Sequence, residues 1–177
     1  MSLYIRQHQP GGTYFFTVNL AQRHRSLLTE NIDTLRAVFR EVRSRHPFQI
    51  KAIVILPEHL HCLWRLPEND TDYALRWGLI KANFSRRIKT TEPLRASLIR
   101  RGERGIWQRR FWEYTIRDEA DWQRHLNYIH FNPVKHRYVR KVCDWPWSSF
   151  HQFVRRGEYP EDWGGNMKSD NGNDFGE

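Results

Sequence analysis

The sequence predicts an α+β protein with a ferredoxin-like split βαβ core, in which an antiparallel sheet carries helices and a C-terminal helix and tail follow. Three observations predict it. The periodic segments run in the order β-α-β-β-α-β. Two of the strands are separated by only Pro57-Glu58, which makes them a hairpin. Each long helix is bounded by a recognisable start or stop signal.

Thr13–Leu20 is aromatic and β-branched after Gly11-Gly12 and reads as the first strand. In Asn31–His46, Ile32, Leu35, Val38, Phe39 and Val42 recur at helical spacing, and Pro47 ends the helix. Phe48–Leu56 and His59–Leu66 are the hairpin strands. Asp70-Thr71-Asp72 caps a second helix that reaches about Lys89. Thr90–Gly105 is basic and turn-rich and reads as a mobile loop. Phe111–Ile116 is a fourth strand, and Asp118 caps a third helix from Glu119 to about Phe131, which stops before Pro133. A short helix follows around Ser148–Arg155. Residues 1–163 read as one domain, and residues 164–177 have the composition of a disordered tail.

Composition narrows the function. With 29 Lys and Arg against 20 Asp and Glu, the formal net charge is +9. Several of the eight tryptophans sit among arginines, as in Trp107-Gln108-Arg109-Arg110-Phe111-Trp112. Cations interleaved with aromatics suit a nucleic-acid groove, where phosphates are neutralised and bases stack. A basic solvated surface over a tryptophan-rich core has the same composition. The candidate DNA contacts are Arg86, Arg87, Arg100, Arg101, Trp107, Arg109, Arg110 and Trp112. Two cysteines, Cys62 and Cys143, are too few for a disulfide framework or a cysteine-built zinc site. No segment resembles a signal peptide, and the longest apolar run, Ile53-Val54-Ile55-Leu56, is far short of a membrane span. The expectation is a soluble, cytoplasmic, nucleoid-associated protein, with a monomer favoured.

The chemistry starts from strand periodicity. Residues i and i+2 share a face, so His59 and His61 project together with Leu63 and Arg65, while Leu60, Cys62, Trp64 and Leu66 form the apolar face. Two imidazoles side by side are half of a metal site. Ordinary strand histidines with hydrogen-bond partners show the same pattern. On the third helix, Asp121, His125, Tyr128 and Asn132 fall on one polar stripe, and Trp122, Leu126 and Ile129 on an apolar one. A phenol beside a divalent ion can attack a phosphodiester, because the ion stabilises the charge that develops on the phosphoryl oxygens. With an ordinary pKa of about 10, the phenol needs the ion or a base such as His125 to help remove its proton. The Asn132 amide oxygen, one turn on, can complete the metal shell, although a residue before proline is pushed away from α geometry and so reads as lying just past the helix end.

At this point the sequence resembles the single-tyrosine HUH transposases, and within them the REP-associated tyrosine transposases. The likeness spans roughly residues 10 to 163. It is carried by residues 11–19, by Leu56-Pro57-Glu58-His59-Leu60-His61, by residues 107–113, by the run from Tyr128 to His136, and by residues 144–150. The resemblance implies cleavage of single-stranded DNA with Mg²⁺ or Mn²⁺ and a transient 5′-phosphotyrosine that leaves a free 3′-hydroxyl. It also implies recognition of hairpins from repetitive extragenic palindromes (REP). The family's paired histidines fall on His59 and His61, its nucleophile on Tyr128 and its third metal-binding side chain on Asn132.

Two other readings fit parts of the sequence. A non-catalytic nucleic-acid module on the same fold would stack bases on Tyr14 and Phe16 across an exposed sheet. A metal nuclease with water as nucleophile would leave free 5′-phosphate ends and no covalent adduct.

Overall fold

The computed structural model describes residues 9–89, 100 and 104–165. Its elements are β1 (Thr13–Asn19), α1 (Leu27–Glu30), α2 (Ile32–Arg45), β2 (Gln49–Ile55), β3 (His59–Arg65), α3 (Tyr73–Arg87), β4 (Trp112–Thr115), α4 (Glu119–Lys135) and α5 (Phe150–Arg155), with a 3₁₀ turn at Val142–Asp144 before α5. The sheet order is β2-β3-β1-β4 and every pairing is antiparallel. This is the α+β, split βαβ arrangement that the order of segments predicts.

Both sheet faces are covered. Tyr14, Phe16, Val18, Leu60, Cys62 and Trp64 point into a core shared with α2 and α3, where the Trp64 and Trp77 rings stack with centroids 4.3 Å apart. Phe15, Ala52, Val54 and Leu63 point the other way, into a core shared with α4 and α5. A register shift between Ile50 and Ala52 turns successive even-numbered residues of β2 to opposite faces, so Ile50 joins the first core and Ala52 the second. Tyr14 and Phe16 are fully buried beneath helices. The face that carries them is therefore closed to bases, and the base-stacking reading of these two residues is corrected.

Local chemistry sets the helix ends. Asp72 caps α3 by accepting from the Leu75 amide at 2.9 Å, and Asp118 caps α4 by accepting from the Asp121 amide at 2.8 Å. The C-terminus of α4 departs from expectation: the helix runs through Asn132 and Pro133 to Lys135. Proline here forfeits one backbone bond, to the carbonyl of Ile129, close to the end of the helix. Burial of both Asn132 and Pro133 favours the helical path. The helix closes in a Schellman motif, with Tyr138 N–H donating to Pro133 O at 3.0 Å and Arg137 N–H to Val134 O at 2.9 Å, while Arg137 takes φ 61°. Most of the basic loop 90–105, including Arg101, lies outside the described residues, as does the expected tail beyond Gly165.

Candidate active site

Cross-strand register builds the first half of the site. Thr17 of β1 lies opposite His61 of β3, and Asn19 opposite His59. The Thr17 hydroxyl and His61 Nδ1 are 2.8 Å apart, and both residues are fully buried. His59 Nδ1 meets Glu58 Oε1 at 3.0 Å, and Glu58 Oε2 accepts from the Tyr138 hydroxyl at 2.8 Å. Burial works against ionisation of Glu58, but the hydrogen bonds from His59 and Tyr138 outweigh it and hold the carboxyl below its ordinary value. Burial and the bond to Glu58 push the Tyr138 phenol up. The two imidazole centroids are 4.8 Å apart.

α4 supplies the second half. It lies on the histidine face of the sheet and runs antiparallel to β3, because Tyr128 meets His61 (ring centroids 5.2 Å) and His136, just past the helix, meets His59 (5.0 Å). Tyr128, Asn132 and His136 are spaced four apart and so share one stripe, which sets the buried Asn132 between the two contacts. The polar stripe therefore faces inward along with Leu126 and Ile129, on one broad buried face. Tyr128 also packs edge-on against Phe15 at 6.0 Å, and its hydroxyl accepts from Lys135 Nζ at 3.2 Å.

The other stripe residues hold the helix. Asp121 accepts from Tyr114 Oη at 2.9 Å and Arg117 Nε at 2.8 Å and also pairs with Arg124. The Arg117 hydrogen bond is the main cause that holds its carboxyl at about 2. His125 Nδ1 lies 2.7 Å from Asp121 O, its ring stacks on Tyr114 at 4.9 Å, and burial pushes the imidazole down.

The donor set suits a divalent cation. A histidine whose Nδ1 is engaged by a carboxylate or hydroxyl presents Nε2 as its ligating atom, and such outer contacts accompany most metal-bound imidazoles. Among the described residues, no three His, Cys, Asp or Glu side chains cluster as a cation site. The buried Asn132, between the two helix–strand contacts, is a candidate donor of another kind.

The residues expected to touch DNA separate in space. Arg86 and Arg109 line one groove of about 540 Å³ with Lys81, Ser85, Arg104 and Trp107. Its wall is tied to the sheet next to the histidines: Trp107 bridges Leu20, and Gln108 N–H donates to Asn19 O at 3.0 Å. Trp107 rests on Phe84, with ring centroids 5.4 Å apart. Lys81 donates to Gln108 O at 2.9 Å, and burial lowers its ammonium to about 8. Arg87 instead pairs with Glu41 of α2. Trp112 stands on the α4 side against Phe15, while Arg100 and Arg110 are exposed.

Sequence reasoning assigned no role to Glu58, Thr17, Lys135, His136, Lys81 or Arg104. Lys135 and His136 were findable at seven and eight residues from Tyr128, two helical turns on, but a helix ending before Pro133 puts them off the stripe. Glu58 was hidden by its place in a turn.

The structure thus sets a histidine pair, on a central strand of a split βαβ sheet, beneath a tyrosine-bearing helix. The family model described as "Transposase IS200 like" matches residues 12–132. A Haemophilus influenzae relative is 48% identical over 167 residues, covering 94% of this chain and 95% of its own. An Escherichia coli REP-associated tyrosine transposase is 46% identical over 167 residues, covering 94% of this chain and 93% of its own. A solved structure of a REP-associated tyrosine transposase bound to a REP hairpin superimposes with a TM-score of 0.80 at 46% identity, covering 95% of this chain and 94% of that one. The chain belongs to the IS200-like transposases, and within them to the REP-associated tyrosine transposases. Among the described residues, no helix is long and apolar enough to cross a membrane.

Proposed function

We propose that the protein cuts and rejoins single-stranded DNA beside a REP-like hairpin by transesterification, with Tyr128 as nucleophile and Mg²⁺ or Mn²⁺ as cofactor. The observation that carries this reading is the contact of the Tyr128 ring with His61, itself beside His59. His59, His61 and Asn132 would hold the cation, which when bound polarises the phosphoryl oxygens and offsets their developing charge. Tyr128 Oη attacks phosphorus and gives up its proton. The P–O3′ bond breaks, its electron pair stays on O3′, and that oxygen takes up a proton and leaves as a 3′-hydroxyl. The bond energy is kept as a 5′-phosphotyrosine, so a second 3′-hydroxyl can reverse the step without a nucleotide cofactor.

Access selects the DNA. Tyr128 is half-buried between α4 and the sheet, which admits an unpaired strand more readily than a duplex. The basic groove beside Asn19 is suited to holding the phosphates of the flank or stem, which sets register without reading sequence. The DNA is taken to be a hairpin because the structurally similar transposase is bound to one.

The test incubates one labelled top strand with Mn²⁺ as a hairpin with a 5′ flank, as an unstructured oligonucleotide and annealed to its full complement. The expected result is a covalent adduct that survives a denaturing gel, formed with the hairpin, absent with the duplex and absent from Tyr128→Phe. Free 5′-phosphate ends without adduct would favour water as nucleophile. Cleavage by Tyr128→Phe, or duplex cut as fast as hairpin, would sink the reading.

A further inference from the structure

We propose that Lys135 is a second catalytic residue, which holds the attacking oxygen of Tyr128 and neutralises the charge that passes through it. The inference rests on Tyr128 being the nucleophile. It comes from two contacts: Lys135 Nζ donates to Tyr128 Oη at 3.2 Å, and the same ammonium stands 4.8 Å from the centroid of the Tyr128 ring. Lys135 and Tyr128 are both half-buried, so the charge is only partly screened by solvent.

The placement follows from the fold. Lys135 is the last residue of α4, seven positions from Tyr128 and so two turns further along the same face. Only a helix that continues through Pro133 puts it there. The Schellman closure at Arg137 then turns the chain towards Glu58 and ends the helix immediately beyond the lysine.

Two consequences follow for the reaction. A hydroxyl oxygen that accepts from Lys135 has one lone pair fixed, which limits how the phenol can rotate before attack. As Oη bonds to phosphorus, its proton departs to solvent and charge spreads over Oη and the phosphoryl oxygens. An ammonium already in place offsets that charge with no reorganisation. In the joining step, a DNA 3′-hydroxyl attacks and loses its proton to solvent, the P–Oη bond breaks with its electron pair on Oη, and the phenol regains a proton from solvent. Oη is then the leaving group, and the same ammonium offsets the same charge. Lys135 therefore acts equally on cleavage and joining and leaves the balance between them unchanged.

The test measures single-turnover cleavage, strand joining and DNA affinity for the full chain with Mn²⁺ and a labelled hairpin. Lys135→Met is expected to slow both steps on the order of 10²-fold, the usual effect of losing one preorganised donor. Kd and thermal midpoint are expected to hold, and Lys135→Arg to recover much of the rate. Wild-type rates in Lys135→Met, a defect confined to Kd, a slowing of one direction only, or no recovery with arginine overturns the assignment. Tyr128→Phe is run in parallel. If that variant still cleaves, the nucleophile itself is wrong; if it is inactive while Lys135→Met is not, only the role of the lysine fails.

Discussion

Thr17→Val tests whether the cross-strand partner of His61 tunes the proposed metal site. The Thr17 hydroxyl and His61 Nδ1 are 2.8 Å apart, and neither residue is exposed. Valine keeps the β-branched shape that the strand prefers and removes only this hydroxyl. Deleting an outer partner of a ligating histidine lowers metal affinity by about 10- to 100-fold. At about 1.36 kcal/mol per decade, that is roughly 1.4–2.7 kcal/mol. The loss of a buried hydrogen-bond partner also costs about 1–3 kcal/mol of folding stability, lessened by the good fit of valine in a strand. Free Mn²⁺ is followed by its electron paramagnetic resonance signal as protein is added without DNA, and cleavage is then measured over rising Mn²⁺. The expected outcome is weaker Mn²⁺ binding and a cleavage curve shifted to higher Mn²⁺, with a plateau close to wild type. Unchanged Mn²⁺ affinity in a folded variant would refute the argument, as would a collapsed plateau at unchanged affinity.

Three further outcomes are expected. His59→Ala or His61→Ala removes Mn²⁺ binding and cleavage while circular dichroism stays native, since each imidazole is positioned on a strand held by its neighbours. Stability falls on mild acidification, because burial holds the folded His130 imidazole at about 3 while the unfolded one takes a proton near 6.5. The unfolded chain alone binds that proton between these values, so the contribution is complete above about pH 6.5 and falls by up to about 1.4 kcal/mol per unit below it. Urea midpoints at neutral and mildly acid pH measure this, and His130→Gln should flatten the slope. DNA affinity should fall with salt with a log–log slope of about −0.7 for each single-strand phosphate contact. Replacing Arg86 and Arg109 together by Gln should make that slope shallower, and an unchanged slope would exclude the groove they line.

Much of the fold was legible because its signals are local. The hairpin follows from two β-type runs with Pro57-Glu58 between them, and α3 from the cap at Asp72. The end of α4 was not legible. Proline is a local reason to stop a helix, but the burial of Asn132 and Pro133 is a tertiary term, and it prevails. The aromatics of β1 were equally ambiguous. Alternation puts Tyr14 and Phe16 on one face, but whether that face meets solvent or helices depends on α2 and α3, which lie elsewhere in the chain.

The sequence by itself determined that His59 and His61 share a strand face and that Asp121, His125 and Tyr128 share a helix stripe. Both are periodicities of the chain, two for a strand and 3.6 for a helix, and need no packing partner. Only the tertiary structure decided that the stripe lies across that face, with Tyr128 at His61 and His136 at His59. It alone decided that Tyr138 reaches Glu58, eighty residues away, and that Lys135 stays on the face of Tyr128. These contacts depend on which side of the sheet α4 covers, in which direction it runs and where it ends, and the burial of its broad inward face decides the first.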